Sequence, residues 1–136
     1  MVNDYRIFIS HSWTYGDAYD RLTSMLKERS YFSYTDYSVP KSDPIHSCGT
    51  DALLYQAIKN KIQLCNIVLI MAGKYASYSK WIDKEVQISK GDFNKPLLGI
   101  CPWGSQQVSS LVKANADELV GWNTESIVSA IRRWVI

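Results

Sequence analysis

Two hydrophobic periods alternate along the chain, one of about two residues and one of about three and a half. Tyr5 to Ser10 is a short β-rich run that ends in the polar, aromatic segment His11-Ser12-Trp13-Thr14, so a strand followed by a loop is expected. From Asp17 to Arg29 the apolar residues Ala18, Leu22, Met25 and Leu26 recur at helical spacing, with Asp20, Arg21, Lys27 and Glu28 opposite them. Tyr31 to Tyr37 alternates aromatic and small polar residues, which suits a second strand at or near a sheet edge. Ser38 to Gly49 holds two prolines and a glycine and has no period; a connection of that length is often functional. Thr50 or Asp51 can cap a second helix, with Leu53, Leu54, Ala57, Ile58 and Ile62 as its apolar stripe.

The most apolar stretch, Asn66 to Met71, reads as a strand buried on both faces, followed by the turn Ala72-Gly73-Lys74. Ser79 is expected to cap a third helix that runs to about Lys90, with Gly91 as its stop. Lys95 to Cys101 is a fourth strand, with Pro96 at its start, where a missing donor is tolerated, and Pro102-Trp103-Gly104 breaks it. Ser105 to Asn115 is weakly helical through Val108, Leu111 and Val112, and Glu118 to Trp122 is a short fifth strand. Thr124 starts a last helix that turns Ile127, Val128, Ile131 and Val135 inward. Strands that alternate with helices in this way imply right-handed crossovers and a parallel sheet. The expected architecture is one α/β domain over residues 1–136, flavodoxin-like, with a five-stranded parallel sheet and helices on both faces.

Charge changes the picture little: 15 basic and 13 acidic residues leave a formal charge of +2, spread without a basic block. Nucleic-acid binding through the phosphate backbone therefore has little electrostatic support. No apolar run reaches the roughly 18 residues of a spanning helix, and the first residues carry no signal-peptide pattern. The expectation is a soluble, cytoplasmic protein with neither membrane nor nucleic acid among its partners. Cys48, Cys65 and Cys101 form no CxxC or Cys/His cluster, so neither a disulfide framework nor a metal site is expected. Cys65 and Cys101 flank strands and read as small buried hydrophobes.

Candidate chemistry centres on Trp81-Ile82-Asp83-Lys84-Glu85. A carboxylate just past the carboxyl end of a central strand lies where open α/β sheets build ligand sites, and Trp81 and Glu85, four apart, share a helix face. That makes Glu85 the leading functional residue; the plain alternative is a solvated helical glutamate paired with Lys84 or Lys90. No GxxxxGK[ST] loop and no GxGxxG turn is present, so the usual phosphate cradles are lacking and a flavin site has weak support. A receiver domain needs an acidic pair after the first strand and an aspartate after the third; the turns here read Ser-His-Ser and Ala-Gly-Lys. Ser10, His11 and Ser12 lack a GxSxG elbow and point to alternate sides, which argues against a serine nucleophile. They line a ligand or satisfy loop backbone groups. Trp13 and Trp81 fall in stretches expected at the carboxyl edge of the sheet, where they stack on a ligand ring or simply pack.

Arg6-Ile7-Phe8-Ile9-Ser10-His11-Ser12, the Asn66 to Met71 strand and Trp81-x-x-x-Glu85 resemble a TIR domain. Asp36-Tyr37-Ser38-Val39-Pro40, Tyr75 to Trp81, Pro102-Trp103-Gly104 and Val120 to Thr124 are more closely similar to the prokaryotic TIR-like family that includes the ThsB proteins of Thoeris antiphage defence. The resemblance covers nearly the whole chain. It implies a TIR fold of the flavodoxin type and NAD as a substrate, with no further cofactor. The nicotinamide–ribose bond is cleaved and the remainder becomes an ADP-ribose-derived signal, cyclic or conjugated, that acts on a separate effector protein after a phage-derived trigger. The family's glutamate falls on Glu85. Phe8, Ser10, His11, Trp13 and Trp81 are then expected at the pocket, and Lys41 in the long loop is placed to meet a phosphate. A non-catalytic adaptor or nucleotide-binding module is the other reading. Many TIR enzymes carry a glycine-containing loop after the second strand; this one is proline-rich, which counts against a homo-oligomer assembled through the usual contacts.

Overall fold

The computed structural model describes residues 4–10, 18–37, 50–71, 80–101 and 110–135. In chain order the elements are β1 (Asp4–Ile9), α1 (Ala18–Glu28), β2 (Ser33–Asp36), α2 (Asp51–Ile62), β3 (Ile67–Met71), α3 (Lys80–Val86) with a π-helical extension (Gln87–Asp92), β4 (Leu97–Ile100), α4 (Ser110–Asn115), β5 (Glu118–Val120) and α5 (Thr124–Trp134). All four strand pairings are parallel and the sheet order is β2-β1-β3-β4-β5, the flavodoxin-like arrangement the alternation predicts. β2 lies at an edge, as expected.

Strand parity divides the core into two layers. Phe8, Val68, Ile70 and Leu97 face Leu54, Ile58 and Ile62 of α2 and Ile82 and Val86 of α3. Ile7, Ile9, Ile67, Leu69, Leu98 and Ile100 face Leu22 and Leu26 of α1 and Ile127, Val128 and Ile131 of α5. All five residues of β3 are buried, which is why that run lacks polar alternation.

Local rules set the helix ends. The Thr50 side chain accepts from the Leu53 amide at 3.1 Å and caps α2, and Asn123, one residue before the expected start, accepts from the Ser126 amide at 3.1 Å and caps α5. At the other end of α2, the Lys95 ammonium donates to the carbonyls of Ile62, Gln63 and Cys65 at 2.8, 2.7 and 2.6 Å, adding to the bond that the Ile62 carbonyl already accepts from the Cys65 amide at 3.0 Å. Pro96, just before β4, gives its carbonyl to the Val68 amide at 3.0 Å, so the proline costs the sheet no bond on that side.

Two expectations need correction. The third helix does not run as one α-helix to a stop at Gly91: after Val86 it widens, and the Phe93 amide reaches back five residues to Ile88 at 3.1 Å. The wider turn keeps both Ile88 and Ser89 buried. The left-handed residue after it is Asn94, with φ of 50°, a conformation that asparagine tolerates. Leu53 is not part of the α2 stripe. The buried row repeats every four residues through Leu54, Ile58 and Ile62, and Leu53, about 100° to one side, is 59% exposed. Inside β4, Gly99 is required by close approach, since a Cβ there would lie 2.5 Å from Leu119 Cδ2 and 3.0 Å from Val112 Cγ1. The loop assigned to 38–49, the turn at 72–74, the Ser79 cap and Cys48 lie outside the described residues.

Candidate functional site

β1 sits between β2 and β3, and the chain turns back across it: α1, which joins β1 to β2, packs on one side of the sheet, and α2, which joins β2 to β3, packs on the other. This reversal makes the carboxyl ends of β1 and β3 the switch point, the place at which doubly wound sheets hold ligands. Ser10 follows β1 there, and its amide donates to the Leu69 carbonyl at 2.9 Å, which extends the β1–β3 ladder by one residue. Two residues on from Phe8, it shares that residue's face and points toward α3.

Glu85 comes to the same point from the helix after β3. The inward row of that helix is Ile82, Glu85, Val86, Ile88 and Ser89, while Asp83 and Gln87 face out. Glu85 is 0% exposed and Ser10 1%, and the Ser10 hydroxyl donates to Glu85 Oε1 at 2.7 Å across 75 residues of sequence. The solvated-glutamate alternative therefore fails on burial. Lys90, one lysine proposed to pair with it, instead binds Asp117 Oδ2 at 2.7 Å and the Lys95 carbonyl at 3.1 Å.

A buried ionised carboxyl is costly unless polar groups hold it, and chains keep such groups where function needs them. Glu85 is held at two places. Ser10 binds the carboxyl group, and the Ser89 hydroxyl, itself 0% exposed, donates to the Glu85 carbonyl at 2.6 Å just where the helix turns from α to π. Such π-turns frequently sit at functional sites. Sequence reasoning missed Ser89. Its spacing of four from Glu85 on a buried row was the available signal.

Of the other expected site residues, Phe8 is fully buried among Leu54, Ile58, Val68, Ile82 and Val86, so it forms the apolar floor beneath the pair. Trp81 lies in α3 one turn before Glu85, but its side chain is outside the described part, as are His11, Trp13 and Lys41 entirely. Asp36, the carboxylate at the end of β2, accepts from the Tyr19 hydroxyl on the other face of the sheet. Burial pushes the Cys65 thiol up to about 12, which leaves it protonated and inert at neutral pH. Among the described residues no helix is long and apolar enough to cross a membrane.

Sheet order and the buried carboxyl at the switch point define a flavodoxin-like α/β domain with an acidic site on its carboxyl edge. The family described as Thoeris protein ThsB, TIR-like domain, matches residues 8–107, which include Ser10 and Glu85, and the chain belongs to that family. No curated protein matches the sequence. Among solved structures, a putative pilus assembly-related protein from Burkholderia pseudomallei is similar at a TM-score of 0.60 and 10% identity, over 99% of this chain and 92% of the other. The response regulator domain of CheB from Thermotoga maritima is similar at 0.60 and 7%, over 98% and 97%. A prokaryotic SEFIR domain is similar at 0.55 and 17%, over 97% and 99%. At these identities the likeness carries the fold alone.

Proposed function

We propose that this chain is a NAD-processing TIR-like enzyme of Thoeris-type antiphage defence, in which Glu85 drives cleavage of the nicotinamide–ribose bond. The observation that supports this reading is the carboxyl group of Glu85, buried at the β1–β3 switch point and hydrogen bonded by Ser10 at 2.7 Å. Nicotinamide leaves NAD as a neutral molecule, because it is bound as a pyridinium cation, so no strong general acid is needed. The bond to C1′ breaks with its electron pair going to the ring nitrogen, and positive charge develops on the ribose. A fixed carboxylate in a dry site stabilises that charge and accepts hydrogen bonds from the ribose hydroxyls. At about 5 Å and an effective dielectric of about 20 the attraction is about 3 kcal/mol, on the order of a few hundredfold in rate. Capture of C1′ by water, with loss of a proton, gives ADP-ribose; capture by a nucleophile of the nucleotide itself or of another molecule gives a cyclic or conjugated signal. That signal acts on a separate effector, and a phage-derived trigger starts the reaction.

A second reading draws on the complete burial of Glu85: the Ser10–Glu85 bond is a structural tie in a nucleotide receptor or adaptor that turns nothing over. Calorimetry with NAD and ADP-ribose, together with nicotinamide release in lysate from infected cells, separates the two. Glu85-dependent release supports the enzyme. Tight binding with no release in the presence of the trigger supports the receptor.

A further inference from the structure

We infer that Ser10 is a positioning residue for Glu85, not a donor to the ligand; this rests on the NAD-processing reading. A serine hydroxyl has one hydrogen, and here it is committed to Glu85 Oε1 at 2.7 Å. Ser10 therefore acts through the carboxylate, in place of the lining role expected of it. It is suited to this by its mounting. Its amide is tied to the Leu69 carbonyl at 2.9 Å, its neighbour on the same face, Phe8, is fully buried, and the residue itself is 1% exposed. The donor thus stands on the central pair of strands, where the backbone has least freedom.

Glu85 needs such a fixture. Its side chain has three rotatable bonds, and ordering a glutamate costs up to about 2 kcal/mol of rotamer freedom. It projects from α3, a helix of seven residues, onto a carboxyl edge built by other elements. One bond from the sheet to Oε1 selects a rotamer and registers α3 against β1 at the point where charge develops. Ser89 contributes at the other end of the residue by holding its carbonyl. Serine suits the position for its size as well as its donor: alanine removes the bond, and threonine keeps it at the expense of one added methyl in a packed layer.

The test compares the full chain with Ser10→Ala, Ser10→Thr, Glu85→Gln and the double variant Ser10→Ala/Glu85→Gln, with NAD turnover measured in lysate from infected cells. Misplacement of a catalytic group by about 1 Å can cost on the order of 100-fold. The expected result is a 10- to 100-fold fall in kcat for Ser10→Ala, with KM for NAD changed less than about threefold, and recovery of most of the rate by Ser10→Thr. In the Glu85→Gln background Ser10→Ala adds no further loss. A rise in KM at unchanged kcat, or a further loss without the Glu85 carboxylate, overturns the proposal, because Ser10 then contacts the ligand directly. Should Ser10→Ala not fold, Ser10→Cys, of similar size and weaker donor strength, replaces it with the same expectations. A chain that gives no Glu85-dependent product refutes the NAD reading itself. The positioning role is then decided by the carbon-13 carboxyl signal of labelled Glu85, assigned with Glu85→Gln: it moves on Ser10→Ala if the hydroxyl holds the carboxylate, and an unmoved signal overturns the proposal.

Discussion

Lys95→Met tests how this fold closes the amino edge of its sheet. The methionine keeps most of the apolar stem and removes the ammonium, so the carbonyls of Ile62, Gln63 and Cys65 lose their shared donor. The ammonium also lies 5.1 Å from the Phe93 ring centroid, a cation–π attraction that a neutral thioether does not replace. A hydrogen bond to a charged group contributes about 1.5–3 kcal/mol net, but these three share one ammonium. Burial pulls Lys95 below the ordinary lysine range, so desolvation offsets part of the gain. A net loss of about 3 kcal/mol follows. Unfolding entropy of about 2.1 cal/mol/K per residue gives roughly 0.29 kcal/mol/K for 136 residues, so the Tm is expected to fall by about 10 °C. Thermal melts followed by circular dichroism, with exposed Lys113→Met as control, measure it. A Tm within about 2 °C of the parent, with the control equally silent, refutes the view that Lys95 stabilises the end of α2.

Gly99→Val places methyl groups where Leu119 Cδ2 and Val112 Cγ1 already lie, and is expected to cost about 3 kcal/mol or more in urea unfolding; a neutral result contradicts the close approach of α4 and β5 to β4. Glu118 is held below the ordinary carboxylate range by its bonds from Arg133, with Trp134 adding a second donor. A depressed carboxyl stabilises the fold above its unfolded pKa and loses that contribution as pH falls through the folded value. The Tm of the parent should therefore drop more steeply below about pH 4.5 than that of Glu118→Gln, and parallel curves refute it. Cys65, pushed up to about 12, should resist alkylation at pH 8 in the native protein and react once urea unfolds it.

The architecture was legible because its signals are local. The all-apolar β3, the amphipathic rows of α1 and α5 and the Thr50 cap each follow from neighbours within one or two turns. The position of Glu85 was legible for a related reason, since a carboxylate early in the helix that follows a buried central strand falls near the switch point once the strand order is known. What stayed hidden depends on partners far apart in sequence. Nothing near Ser10 shows that its hydrogen goes to a residue 75 positions on, and nothing near Lys95 shows that it closes a helix ending more than thirty residues earlier. The π-turn at Gln87–Asp92 was hidden because its apolar spacing fits an α-helix about as well, and glycine at 91 suggested a stop that Asn94 in fact provides.

The most direct test of the central claim is mass spectrometry of nicotinamide and ADP-ribose-derived nucleotides in infected cells that express the parent chain or Glu85→Gln at equal levels. The buried carboxylate account predicts product from the parent and a loss of at least about 100-fold in the variant, in line with the few-hundredfold attraction derived above. Equal product from both would contradict it.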